Sequence, residues 1–309
     1  MYGTITPAGA RPAIVAGGDT VPEVIDLRNQ SRNYSWSLTG QLTKRFSTGL
    51  EARGSYTYAA IRDVQSLFDN PAGNPLTDHW AGSRVLSGRH DDLSPGISSF
   101  DVPHRVVLAA VYAAPWRRWA TGVSLTYIGE SGIRYTYLDS STTRGFGDLN
   151  ADGTSANDPT YVPRNTSDPA EILFTGDAAE VQRQQVAFEQ FIENTPCLRR
   201  QRGRIVERNS CLAPWVHSAH ISVRQALPPL LGHRLALQLD VFNVLNLLDS
   251  RWGLVRTPNV NVLEHVEQTP GALDTSRSIF RFNPAIQRYS SENAESSYQI
   301  QVAARYSFY

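Results

Sequence analysis

The sequence predicts an all-β protein: an antiparallel transmembrane β-barrel, present in part, with long outer loops and one short loop helix. Three observations predict it. Apolar residues recur with period two over stretches of 10 to 13 residues, longer than a globular strand and close to the ~9–11 residues of a tilted membrane-crossing strand. Aromatic residues gather at the ends of these stretches, as they do at the two interfaces of a membrane barrel. Short links between strands alternate with long ones, the sidedness such barrels show.

The first strand is read over residues 34–46. One face carries Tyr34, Trp36, Leu38, Gly40, Leu42 and Phe46, interrupted by Lys44, and the other carries Ser35, Ser37, Thr39, Gln41, Thr43 and Arg45. Successive strand side chains point to opposite faces, so this strand has one apolar and one polar face. After Ser47-Thr48-Gly49 the pattern returns, with Leu50, Ala52, Gly54, Tyr56 and Tyr58 against Glu51, Arg53, Ser55 and Thr57, which makes a long hairpin. Residues 1–32 read as a lead-in segment, and 33–309 as the barrel part.

Residues 104–113 are apolar almost throughout, and their two faces are not separable from sequence. Beyond 115–118, Trp119, Thr121, Val123, Leu125 and Tyr127 alternate with Gly122, Ser124 and Thr126. A strand over 217–226 alternates Ala219, Ile221 and Val223 with Ser218, His220, Ser222 and Arg224. Leu235, Leu237, Leu239 and Val241 mark the next, and a shorter one is read at 251–257. The last sets Tyr298, Ile300, Val302, Ala304, Tyr306 and Phe308 against Gln299, Gln301, Ala303, Arg305 and Ser307.

Links at 47–49, 115–118 and about 246–250 are short, and those at about 62–103, 130–200 and 258–296 are long. The segment PPLLG (228–232) reads as one short outer hairpin. Alternation then requires one more descending strand between 130 and 216, placed at 203–209, for a total of about nine or ten strands. Asp177 to Glu180 forms a capping-box pattern, and Val181, Gln185, Phe188 and Ile192 follow at helical spacing until Pro196. That helix is expected to pack on the loop or the lumen.

Composition excludes other classes. With 29 basic and 29 acidic residues, the chain has no electrostatic footprint for nucleic acid. Its longest uncharged apolar run, 106–116, is about half of the ~20 residues a spanning helix needs. The N-terminus lacks the basic start and apolar core of a secretory signal. Mean hydropathy is −0.32, a soluble value, yet barrel strands are half polar, so averaged hydropathy leaves the membrane open.

Several segments carry a family resemblance. QRGRIVERNSCLAPW from Gln201 and LQLDVFNVLNLLDSRWG resemble the C-terminal barrel region of TonB-dependent outer-membrane receptors, especially the Oar-like group with an N-terminal carboxypeptidase-regulatory-like domain. LTGQLTKRFSTGLEARGSYTYA (38–59), FDVPHRVVLAAVY (100–112), GDLNADGTSANDPTYVP (147–163) and YQIQVAARYSFY match the same group in the same order. The resemblance runs from about residue 24 and is most specific at Asp240, Phe242, Asn243 and Asn246, with Trp252 and Gly253 following. It implies a bacterial outer-membrane transporter whose plugged barrel takes up an extracellular ligand with energy delivered by TonB. The chain itself carries no plug, TonB box or signal peptide, so it is expected to be the C-terminal part of such a receptor. The implied partners are outer-membrane lipid, the barrel-assembly machinery, TonB through the missing plug, and an unknown extracellular ligand. Tyr306, Phe308 and Tyr309 resemble the terminal signal that the assembly machinery reads.

Candidate sites are few. Asp148, Asn150 and Asp152, followed by Gly153, match the first half of a Ca²⁺ loop. Position twelve is Pro159 rather than Glu, with Asn157 and Asp158 nearby; a metal-free Asp/Asn/Gly-rich turn is the other reading. Cys197 and Cys211, the only cysteines, suggest a disulfide in an exported protein. A bridge there is incompatible with a spanning strand at 203–209. Asn243 and Asn246 bracket a turn, where short amides bond nearby backbone. His217 and His220 point to opposite strand faces and form no metal pair. His90, Asp91 and Asp92 form no convincing triad, and no nucleophile elbow, zinc or phosphate-loop motif is present, so the reading is not an enzyme. Two other classes remain: a secreted soluble β-sandwich that binds Ca²⁺ or glycan, and a small outer-membrane barrel enzyme.

Overall fold

In a computed structural model of the chain, the described residues are 14–16, 19–21, 31–64, 66, 94–114, 116, 120–141, 149, 157–228, 233–269, 277–291 and 294–308. Seven long strands form one antiparallel sheet: β1 (Tyr34–Arg45), β2 (Leu50–Asp63), β3 (His104–Ala113), β4 (Ala120–Glu130), β5 (Val216–Ala226), β6 (His233–Phe242) and β7 (Gln299–Phe308). They lie side by side in chain order, and Gly96–Ile97 pairs onto the end of β2. The sheet is an open barrel wall, with β1 and β7 as its two edges.

The register decides several expectations. Strand β4 pairs with β5 along its whole length, from Glu130 opposite Val216 to Ala120 opposite Ala226. No further spanning strand is needed between them, so the long strands number seven among the described residues rather than nine or ten. Segment 203–209 contributes only a two-residue strand, Arg204–Ile205, inside the long connection. The segment joining β5 to β6 lies at the same end of the sheet as the turns after β1 and β3, so 228–232 is not an outer hairpin. Residues 246–250 do not form a strand-to-strand turn. Helix Val244–Leu248 opens the third long connection, and the strand read at 251–257 is reduced to Thr257–Pro258.

Antiparallel partners share a face, so the register also separates the faces of β3. Val106, Leu108, Ala110 and Tyr112 join the apolar face, opposite Tyr56, Gly54, Ala52 and Leu50. Arg105, Val107, Ala109 and Val111 join the polar one, where Arg105 faces Glu130 across the β3–β4 pair. On the polar face Thr39 bonds Thr57, Glu51 bridges Arg45 and Arg53, and Asp240 accepts from Gln238. The apolar face stays open: Leu42 and Val302 are each 75% exposed, and no second sheet covers it among the described residues. An uncovered apolar face of this length is what lipid covers in a membrane barrel, and it is incompatible with a soluble sandwich, whose apolar faces pack on each other.

Aromatic rings band that face at both ends. At the end with the long connections, Trp36, Tyr58, His104, Trp215, His217 and Tyr127 form a continuous row, each ring centroid 5.2 to 6.1 Å from the next. At the other end stand Phe46 under Lys44, Tyr112, and His233 stacked on Tyr306. Between them lies the apolar band of a membrane wall.

Candidate functional site

The buried core lies in neither face of this sheet. It lies in a cap built from the long connections, mainly between β4 and β5 with a contribution from the connection between β6 and β7. Arg134–Tyr135 pairs with Cys211–Leu212, and Tyr161–Val162 with Arg204–Ile205. Leu138–Ser140 runs parallel to Asn261–Gln268, which pairs with Ser278–Phe282 and, through it, Leu173–Phe174. Helix α1 (Ala178–Glu193) lies against this sheet, and Asp177 caps it by accepting from the Glu180 amide at 2.9 Å. The helix forms because a capping carboxylate meets its first turn and Phe188 and Ile192 fall on one face. Both are fully buried against Tyr137, Phe174 and Phe282. Gln184, absent from the sequence reading, is also buried, donating to the Thr175 carbonyl and accepting from the Phe282 amide.

Cys197 and Cys211 are joined in a disulfide with Cα atoms 5.3 Å apart. It ties the short helix α2 (Pro196–Arg199) to the strand Cys211–Leu212. The connection between β4 and β5 leaves and rejoins the wall at neighbouring points. Gly132 packs there so closely that a Cβ would stand 2.4 Å from the Pro214 carbonyl oxygen.

Two ion pairs latch the cap to the rim. Arg208 is paired with Asp63 at the end of β2 (3.0 Å) and donates to the Val64 carbonyl (2.9 Å). Its side chain lies along Gly96, where a Cβ would meet the guanidinium at 2.8 Å. Burial holds the Arg208 guanidinium below its usual range, against the opposing charge of Asp63. Arg134 meets Asp101 at 2.9 Å, and Asp101 also accepts from the Ile61 amide. Asn209, held in the left-handed region at φ 54°, donates to the Ile97 carbonyl. Arg208, Asn209 and Asp101 lie inside segments already singled out by resemblance, but their partners lie far away in sequence.

Inside the cap, Asp139 is fully enclosed, accepts from the Thr160 hydroxyl at 2.8 Å, and is pushed up to about 7 by burial. Tyr135 and Tyr137 are pushed up for the same reason. Asp148, Asn150 and Asp152 lie outside the described residues, as does Tyr309. Among the described residues no group of three His, Cys, Asp or Glu side chains is placed to hold a metal ion.

The turn after β6 faces the polar side of the wall. Asn243 adopts φ 50°, its amide reaches His220 Nδ1, and its side chain donates to the Gly253 carbonyl at 2.9 Å. Gly253 is at φ 63°, and a Cβ there would lie 2.1 Å from Asn243 Oδ1, so only glycine fits. Asn246 donates to the carbonyls of Ser250 and Trp252. These residues help enclose a cavity of about 290 Å³ lined by Ser218, His220, Phe242, Asn243, Gly253 and Gln299, among others. Asp240 stands further down the polar face, while Trp252 is exposed. Tyr306 and Phe308 project from the apolar face of edge strand β7.

Residues 10–273 match the family described as an outer membrane beta barrel domain, which covers most of the chain. No curated protein and no solved structure matches it.

Proposed function

We propose, from the premise that this chain belongs to the outer membrane beta barrel domain family and lies in the bacterial outer membrane, that it is a section of the wall of a TonB-dependent receptor. In this reading the cap selects an extracellular ligand at the outer rim, and the polar face lines the uptake path. The observation that carries the reading is the cap itself. A disulfide-closed unit with its own core is latched by Arg208 and Arg134 to the end with the long connections, which is the outer end in barrels of this kind. A structural wall has no need of one.

Strand direction supports a larger barrel. Strands β1 and β7 both run from the long-connection end to the short-turn end. Paired with each other they would be parallel, whereas these barrels are antiparallel. Antiparallel closure needs an odd number of further strands between them. A second copy cannot supply them, because in the same membrane its edges run in the same direction.

The terminal residues Tyr306, Phe308 and Tyr309 serve the barrel-assembly machinery in this reading, and no residue carries catalysis. Energy coupling is tested in the native cell by in vivo cross-linking of the full-length gene product and probing the captured complexes for TonB. A TonB adduct that disappears when the region upstream of this chain is deleted is the expected result. No adduct in energised, ligand-replete cells would overturn the receptor reading and leave the membrane wall intact.

A further inference from the structure

The third long connection folds back over the polar face of the wall and closes a cavity against it. Three neighbouring strands make the floor. Ser218 and His220 on β5, Phe242 on β6 and Gln299 on β7 lie side by side: Phe242 is opposite Gln299, and its ring meets the His220 ring edge-on at 5.8 Å. Two pieces of the connection, 253–255 and 295–297, form the remaining walls. The Ser296 hydroxyl fastens one to the other, bonding both the amide and the carbonyl of Val255, and Asn243 holds the Gly253 carbonyl. The enclosure of about 290 Å³ is at the lower end of ligand sites, so it suits a small molecule.

Its lining is one-sided in charge. Glu295 is the only formally charged residue there, exposed and in no ion pair among the described residues. His220 Nδ1 accepts from the Asn243 amide, which leaves the imidazole an N–H at Nε2 and no positive charge. A second carboxylate stands close by. Asp240 lies two residues from Phe242 on the same face, about 7 Å along the strand at ~3.3 Å per residue. It accepts from the neutral amide of Gln238 rather than from a cation. At the outer end of this face Arg105 is offset by Glu130 at 3.6 Å.

Carboxylates without cations draw positive charge. The Ser218 and Ser297 hydroxyls and the Gln299 side-chain carbonyl supply neutral acceptors in the same cavity. Phe242, 40% exposed, offers an aromatic ring, whose face attracts a cation, and Val216 and Val255 add apolar surface.

We propose that this cavity binds a small organic ammonium ion. The ammonium donates to Glu295 and the neighbouring oxygens, and its hydrocarbon part lies on Phe242 and the two valines. The receptor reading supplies only the site's place on an uptake path; the binding itself does not depend on energy coupling, so a failed TonB test leaves it standing.

The test is calorimetric titration of the purified chain in dodecylmaltoside with cyclohexylammonium at neutral pH, against cyclohexanol, which has the same shape without the charge. The wild-type chain should bind the amine at least about fivefold more tightly, because a charge-assisted hydrogen bond is roughly twice as strong as a neutral one. Glu295→Gln, at an exposed position that does not threaten the fold, keeps the shape and should bring the ratio close to one. Glu207→Gln, which removes another exposed carboxylate, on the cap, should leave it unchanged. Equal or absent binding of the two molecules by the wild-type chain would overturn the proposal, as would an unchanged ratio in Glu295→Gln. An equal fall in the two variants would overturn it too, since the preference would then reflect overall charge.

Discussion

Arg208 shows how much one side chain can hold. Its partner Asp63 is also bonded by Ser66 and Ser98, so the latch is a buried network rather than a surface pair. Removing one member of a buried pair strands the other charge, at a cost of about 3–5 kcal/mol. Arg208→Ala should therefore loosen the cap from the rim, seen as faster amide exchange at 96–101 and 207–212 with the wall unchanged. Asp139 gives a second test. Its folded-state value of about 7 lies above the ~3.9 of an unfolded aspartate, so the folded cap keeps a proton the unfolded chain has lost. Between about pH 4 and pH 7, unfolding releases that proton, so this residue's contribution to stability falls as pH rises through that window and levels above it. Asp139→Asn removes the term: variant and wild-type melting curves should diverge with rising pH, and parallel curves would exclude it. Sequence showed Asp139 only as one residue in a loop. Its enclosure depends on Thr160 and on strand Asn261–Gln268, both distant in the chain.

Elements separate into those written locally and those that are not. The long strands were legible because a period-two pattern over ten residues records two environments, and β1, β2 and β5 to β7 fall within a few residues of the expected spans. The two faces should respond differently to charge. Leu239→Arg on the apolar face of β6 should cost about 2–4 kcal/mol in a bilayer, whereas Gln238→Arg beside it on the polar face should be tolerated, as folding titrations in lipid vesicles can show. Helix α1 was legible too, through its cap and its Phe188 and Ile192 stripe. The disulfide closes a short loop, and Cys197→Ser/Cys211→Ser should destabilise the cap by about 3 kcal/mol, measured by limited proteolysis. The strand at 203–209 failed for the same reason the bridge succeeds: residues flanking a short disulfide loop cannot also span a membrane.

At the scale of the molecule, the open wall governs behaviour. Its edge strands β1 and β7 run twelve and ten residues, and among the described residues no strand pairs with the outer side of either. Such edges recruit other chains, so this chain alone should associate in detergent; a sharp monomer in analytical ultracentrifugation would contradict the open sheet.

The amino-acid sequence by itself determined the class of fold, the apolar and polar faces of most strands, the capped helix and the cysteine pair. Each is a pattern confined to a short window, where periodicity or spacing reports the local environment directly. Only the tertiary structure decided the strand count, the faces of β3, and the cap and its latches. The alternation rule alone asked for an extra strand between β4 and β5, because it could not show that a folded cap begins and ends at neighbouring points on the rim. A core assembled from Tyr137, Phe188 and Phe282 leaves no periodic trace, since the residues that bury one another lie on separate segments.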